Sequence, residues 1–231
     1  MNKLLDKKII ALYVVIELII FGVIKYLEIT SQFNFKMCVA KYMAIVVDFI
    51  VATCIWLKYK KGEKPCWDDL IYLGLVGVFI ADFILTFLAL VISNKIWGFA
   101  IFCTVQLIFC IYMKPGKINI IIRAIVLIIL WVIIAKINRM NPENATGMFN
   151  ISLVVVNMVY SWFQFSKNRS RKNLLFALGM TCFAICDVSL VGRALATGLV
   201  NTVFLYIVWT AYVPAILLLT FAYAQSVADK K

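Results

Sequence analysis

Eight apolar runs, each closed by charged or turn-forming residues, divide the chain. They fall at 8–27, 37–57, 70–92, 96–113, 118–137, 147–165, 174–191 and 200–224, and each is 18 to 25 residues long. A helix that crosses a bilayer uses about 20 apolar residues. The pattern therefore predicts an all-α, polytopic transmembrane bundle of about eight helices. The first run differs from a signal peptide: it is about 20 residues long, carries Glu17 at its centre and is not followed by a small-x-small cleavage site. It is read as a retained first span.

Composition agrees with the pattern. Of 231 residues, 65% are hydrophobic and 15% charged, and the mean hydropathy is +0.99. A soluble domain carries about 45–50% apolar and ~25% charged residues, so this chain lacks the polar groups to cover itself in water. Eight spans with short loops consume the length, which leaves a single integral membrane domain, 1–231.

Charge then sets an orientation. The net charge is +12, from 23 Lys and Arg against 11 Asp and Glu. With the N-terminus inside, 15 Lys and Arg fall in cytoplasmic segments and 7 in the opposite ones. Basic residues concentrate on the cytoplasmic side of membrane proteins, so the bias predicts a multi-pass cell-membrane protein with both termini cytoplasmic. Basic clusters beside apolar spans read as topology signals and anionic-lipid contacts. No nucleic-acid partner is implied.

The absence of histidine excludes a His-ligated zinc, a Ser-His-Asp triad and a His proton relay. Six of the seven cysteines (Cys38, Cys54, Cys103, Cys110, Cys182 and Cys186) lie in apolar runs, Cys66 lies in a charged loop, and no C-x-x-C pair occurs. They read as small buried hydrophobes, and no metal or cofactor is expected. Chemistry is left to carboxylates, amides, hydroxyls, thiols and Lys or Arg.

An ionisable side chain inside the membrane costs about 2.5–3.5 kcal/mol even on the lenient insertion scale, so each one needs a reason. Four acids qualify: Glu17, Asp48, Asp82 and Asp187. Asp82 stands twelve residues after Leu70 and Asp187 thirteen after Leu174, which places them at similar depth in helices running the same way. Gly74 and Gly179 each precede the aspartate by eight residues, and Leu85 and Leu190 each follow it by three. This G-x7-D-x2-L repeat suggests two parallel four-helix halves, 1–113 and 114–231, with the aspartates brought together near a pseudo-two-fold axis. Gly74 with Gly77, and Gly179 with Ala184, offer small faces for close helix approach. The plainer reading makes both aspartates structural, bonded across helices to Asn157, Gln106, Ser189 or Tyr212. Glu17 and Asp48 lack a matching environment, and a paired structural role suits them equally. Gln106 and Asn157 can contact a polar ligand or bridge helices. Tyr59, Trp67, Tyr72, Trp97 and Tyr112, near span ends, are aromatic-belt anchors.

The ordered set of motifs resembles the lysoplasmalogenase-like (YhhN-type) membrane family. The resemblance is carried by Lys41 opening the second span in A-K-Y-M-A, by Gly74 to Asp82 in the third, and by Gly98, Phe99, Phe102 and Gln106 in the fourth. It continues with Gly179 to Asp187 in the seventh span and with Trp209 and Tyr212 opening the eighth. The family usually has Gly-Asp where this chain has Ala81-Asp82, Lys-Pro where it has Lys41-Tyr42, and a His where it has Gln106. The resemblance implies hydrolysis of the vinyl ether bond of lysoplasmalogens, which releases a fatty aldehyde and a glycerophospho-headgroup. Such a bond breaks by protonation at carbon followed by water capture of an oxocarbenium ion. Two buried carboxylates sharing one proton supply the acid and the anion this needs. The implied roles are Asp82 as general acid and Asp187 as the group that stabilises the cation and activates water. Lys41, Gln106 and Tyr212 would bind the headgroup or the water. Two readings of other classes remain: a small-solute or lipid transporter, which would also place acids on symmetric repeats, and a non-catalytic member that binds a lipid or partner.

Overall fold

The computed structural model describes residues 7–30, 35–60, 66–88, 95–137, 142–195 and 197–229. Among them every regular element is helical: α1 (Lys7–Ile29), α2 (Phe35–Lys60), α3 (Asp69–Phe83), α4 (Ile96–Tyr112), α5 (Lys117–Ile137), α6 (Pro142–Lys167), α7 (Arg171–Leu195) and α8 (Gly198–Ala228). These match the eight apolar runs one for one. Helices are the expected solution because a lipid interior offers no partner for backbone N–H and C=O groups, and a helix satisfies them internally. Six elements are long and apolar enough to span a bilayer: α1, α2, α3 with its continuation to Leu88, α6, α7 and α8. The fourth helix is a shorter apolar one of 17 residues.

Some sequence features lie outside the described residues: positions 89–92 at the end of the third run, and Lys3, Lys61, Lys64, Arg139, Lys230 and Lys231 among the loop bases. The side chains of Lys7, Tyr59, Lys60 and Lys136 are likewise outside them.

The third run departs from a uniform α-helix. After Phe83 it widens into a π-helical turn, Ile84–Leu88. A π turn inserts a residue and re-aims the side chains beyond it. Here it sets Phe87 edge-on to Tyr42, with ring centroids 5.2 Å apart, and lays Leu85 against Gly98 of α4. At the α7–α8 connection, Thr197 is extended and Gly198 has φ +61°, a left-handed conformation that glycine adopts without steric cost.

Five helices close a ring in the order α3, α4, α6, α7, α8 and back to α3. The α7–α8 pair is the most extensive contact, followed by α3–α4. Small residues allow both. A Cβ on Gly74 would strike the Phe109 ring, and a Cβ on Gly179 would lie 3.0 Å from Leu219 and 3.2 Å from the Ala215 carbonyl. With lipid outside, helices associate through such close packing. Helix α2 lies against α3 and α8, α1 against α2 and α8, and α5 against α6. The ring interior holds a continuous core that includes Val78, Val105, Phe109, Met180, Phe183 and Leu219. The outer faces expose Leu12, Ile19, Ile120 and Ile128 at 56% or more, as a lipid-facing surface requires.

Candidate functional site

One ion pair sets the depth of the two aspartates. Lys172 Nζ, in the first turn of α7, lies 3.1 Å from Asp68 Oδ1, directly before α3. The two helices therefore start at one level. Asp82 follows Asp68 by 14 residues and Asp187 follows Lys172 by 15, so at 1.5 Å per residue they lie about 21 and about 22 Å along their helices.

At that depth the ring interior is polar. Asp82 is 7% exposed and Asp187 8%. Oδ2 of Asp82 accepts a hydrogen bond from the Tyr212 hydroxyl of α8. Oδ2 of Asp187 accepts one from Asn150 Nδ2 of α6, at 2.8 Å. The carboxylates do not bond each other, but Asp82 lies within Coulombic reach of Asp187, and the buried Cys186 lies within reach of both. Phe183 meets Tyr212 edge-on at 5.5 Å and faces Phe102 at 6.3 Å, closing one side of the layer. Two acids that share a dry enclosure hold one proton more readily than none, since full ionisation sets like charges together in a low dielectric. Such a pair can donate a proton from one member and accept one at the other.

Of the structural partners anticipated for the pair, Tyr212 is present at Asp82. Asp187 takes Asn150 instead. The signal for Asn150 lay in its spacing: it precedes Asn157 by seven residues, two helical turns, on the same face of α6.

Gln106 is fully buried between α4 and α6, three residues beyond Cys103, which in turn lies within Coulombic reach of Asp187. Asn157 Nδ2 donates to Gln106 Oε1 at 3.0 Å and to its backbone carbonyl at 2.8 Å. Asn157 Oδ1 accepts from Arg123 Nη1 of α5 at 2.7 Å, and Arg123 Nε donates to Asn119 Oδ1 at 2.7 Å. Arg123 is 9% exposed and has no ion pair among the described residues. Sequence reading passed over it, although the loop tally accounts for 22 of the 23 Lys and Arg and the one it leaves out is Arg123.

Lys41 stands elsewhere. Its Nζ lies 3.2 Å from Glu28 Oε1, which shares the carboxylate with Lys25 at 2.8 Å, and it sits 4.8 Å over the Trp209 ring. Trp209 packs edge-on to Tyr212 at 5.3 Å, so one aromatic layer separates Lys41 from the aspartates. Glu17 and Asp48 form a further cluster between α1, α2 and α8.

Compared with family models, curated proteins and solved structures, the chain matches none of them. The likeness to the lysoplasmalogenase-like family rests on the residues named above alone.

Proposed function

We propose that this protein is an intramembrane hydrolase that cleaves the vinyl ether bond of a lysoplasmalogen-type lysophospholipid, with Asp82 and Asp187 as its acid/base pair. The observation that carries the reading is the meeting of these carboxylates, from α3 and α7, at one depth in a buried layer. With Tyr212 bonded to Oδ2 of Asp82, Oδ1 carries the transferable proton. Asp82 gives that proton to the vinyl carbon remote from the ether oxygen, leaving an oxocarbenium ion that the anionic Asp187 stabilises. Water adds to the cation as Asp187 takes its proton. The hemiacetal then collapses: its hydroxyl loses a proton, the glyceryl oxygen gains one, and aldehyde and glycerophospho-headgroup separate. Asn150 holds Asp187 in place, Lys41 beyond the Trp209 layer is assigned to the headgroup, and Gln106, on the other side of the aspartates near the level of Gly77, is assigned to the water. The enzyme resides in the cell membrane with both termini cytoplasmic, as the loop bases favour.

A second reading is an ion-coupled transporter of a small solute or lipid. It is favoured by two helix irregularities: the π turn begins two residues after Asp82, and Pro214 lies two residues after Tyr212. One experiment separates the two. Purified protein in detergent is given a lysoplasmalogen or its saturated ether analogue, and aldehyde is measured for wild type, Asp82→Asn and Asp187→Asn. The hydrolase reading expects aldehyde from the vinyl ether alone and at least hundredfold losses in both variants, consistent with the weight of a positioned acid or base. No aldehyde from wild type overturns it.

A further inference from the structure

At the end of the bundle opposite Lys172 and Asp68, three bases gather around one acid. Lys25 Nζ lies 2.8 Å from Oε2 of Glu28 and Lys41 Nζ lies 3.2 Å from Oε1, so one carboxylate holds both lysines. Arg193, exposed near the end of α7, lies within Coulombic reach of Lys41 and has no ion pair among the described residues. The Glu28 side chain is sealed, while those of Lys25 and Lys41 are 20% and 12% exposed. No other acid stands within one turn of any of these bases along its helix. The accessible surface is therefore cationic and has no carboxylate to offer an incoming amine.

An apolar cleft runs inward from this cluster between α1 and α8. Its volume is about 140 Å3, and Val14, Leu18, Phe21, Val213 and Leu217 are among its lining residues. Glu17 lines it too, but with its carboxylate oxygens sealed away. Cleft and cluster share one stripe on each helix: Val14, Leu18, Phe21 and Lys25 on α1, and Leu217, Val213, Trp209 and Tyr206 on α8. Lys25 Nζ stands 5.5 Å from the Phe21 ring centroid and donates to the Tyr206 carbonyl at 2.7 Å, while Lys41 sits 4.8 Å over Trp209. Leu18 is 62% exposed, so the cleft opens on the bilayer. An apolar cavity of about 150 Å3 takes a benzene ring, so this one has room for a segment of one acyl chain and not for two.

A cationic head above an apolar slot open to lipid is complementary to an anionic amphiphile, and basic pockets between membrane helices bind lipid phosphates. We propose that this surface binds a single-chain phospholipid whose headgroup is a phosphate without an amine, with the phosphate on Lys25, Lys41 and Arg193 and the chain in the cleft between α1 and α8. A phosphocholine or phosphoethanolamine headgroup brings a further cation to a surface with no acid free to receive it. Trp209, which packs on Tyr212, lies against the glycerol end of the bound lipid. The site deepens the headgroup role given to Lys41 above: that the bound lipid is the one cleaved rests on the hydrolase reading, whereas its binding does not.

The test uses the full chain in an uncharged detergent and measures affinity by isothermal titration. The probes are a saturated 1-O-alkyl lysophosphatidic acid, the phosphocholine lipid with the same chain, and inorganic phosphate, none of which contains a vinyl ether. The lysophosphatidic acid is expected to bind at least tenfold tighter than the phosphocholine lipid, and inorganic phosphate far more weakly than either. Arg193→Gln removes one charge and Leu18→Trp fills the slot, both at exposed positions. Each is expected to weaken the lysophosphatidic acid at least fivefold and to leave the melting temperature of the ligand-free protein unchanged. Equal affinity of the wild type for the two lipids, inorganic phosphate binding as tightly as the lipid, or unchanged affinity in both variants overturns the proposal. Discrimination between the lipids with no aldehyde from a vinyl ether overturns hydrolysis alone, and aldehyde release without that discrimination overturns the lipid site alone.

Discussion

The Tyr212 hydroxyl donates to Oδ2 of Asp82, joining α8 to α3 between residues 130 positions apart. Tyr212→Phe removes the donor and keeps the ring that packs on Phe183 and Trp209. Leaving a buried acceptor unsatisfied costs about 1–3 kcal/mol, so thermal unfolding in detergent should shift down measurably. If Asp82 is the acid proposed above, aldehyde release should fall at least tenfold, because Asp82 would lose the contact that fixes which oxygen carries the proton. Full activity with a lowered melting temperature would show that Tyr212 serves only the fold.

The elements around this bond show what sequence reveals and what it hides. All eight helices were legible because a membrane span is a long, one-sided signal: about 20 apolar residues closed by charge. The equal depth of Asp82 and Asp187 was legible too, since it needs only counting from the starts of two helices that Lys172 and Asp68 hold level. The π turn at Ile84–Leu88 was not, because its residues are as apolar as those of any span. The choice of Asn150 as partner for Asp187 was hidden because it depends on how α6 rotates against α7. Lys41 shows the limit of motif order. Its place in the sequence fits the resemblance, while the fold gives its charge to Glu28.

Arg123 tests whether the amide network is a structural unit. Its guanidinium reaches Asn119 and Asn157 at once, both at 2.7 Å, a fork that a lysine ammonium does not reproduce. Arg123→Lys is therefore expected to destabilise by about 1–3 kcal/mol, as for a broken buried polar contact. A double-mutant cycle of Arg123→Met with Asn157→Ala should give a coupling of about 0.5–3 kcal/mol in detergent unfolding. Strict additivity would mean that the two side chains act independently.

Orientation is tested at Cys66, which stands three residues before α3 in the loop after α2. If both termini are cytoplasmic, this loop is cytoplasmic as well. A membrane-impermeant maleimide should then label Cys66 in inside-out vesicles and spare it in intact cells, with Cys66→Ser as control. Labelling in intact cells would reverse the topology and move the aspartate layer to the cytoplasmic half of the bilayer.

Glycine at position 74 is required by a close approach, and Gly22 supplies the comparison. A Cβ on Gly74 would enter the ring of Phe109, a fully buried side chain that is itself held edge-on by Phe176 at 5.7 Å. The ring has no free space to swing into, so Gly74→Ala forces α3 and α4 apart, an overpacking that costs about 1–3 kcal/mol. Gly22 faces outward on α1 with nothing within 4 Å of its Cβ position, and Gly22→Ala should be neutral or slightly stabilising, since alanine favours the helix by up to about 1 kcal/mol. The effect of Gly74→Ala should also reach the site. Asp82 lies eight residues farther along the same rigid helix, and a displacement of α3 stretches its bond to Tyr212, which α8 holds in place. The expected result is a lowered melting temperature and reduced aldehyde release for Gly74→Ala beside an unaffected Gly22→Ala. Equal behaviour of the two variants in both measurements would mean that α3 and α4 are not packed through Gly74.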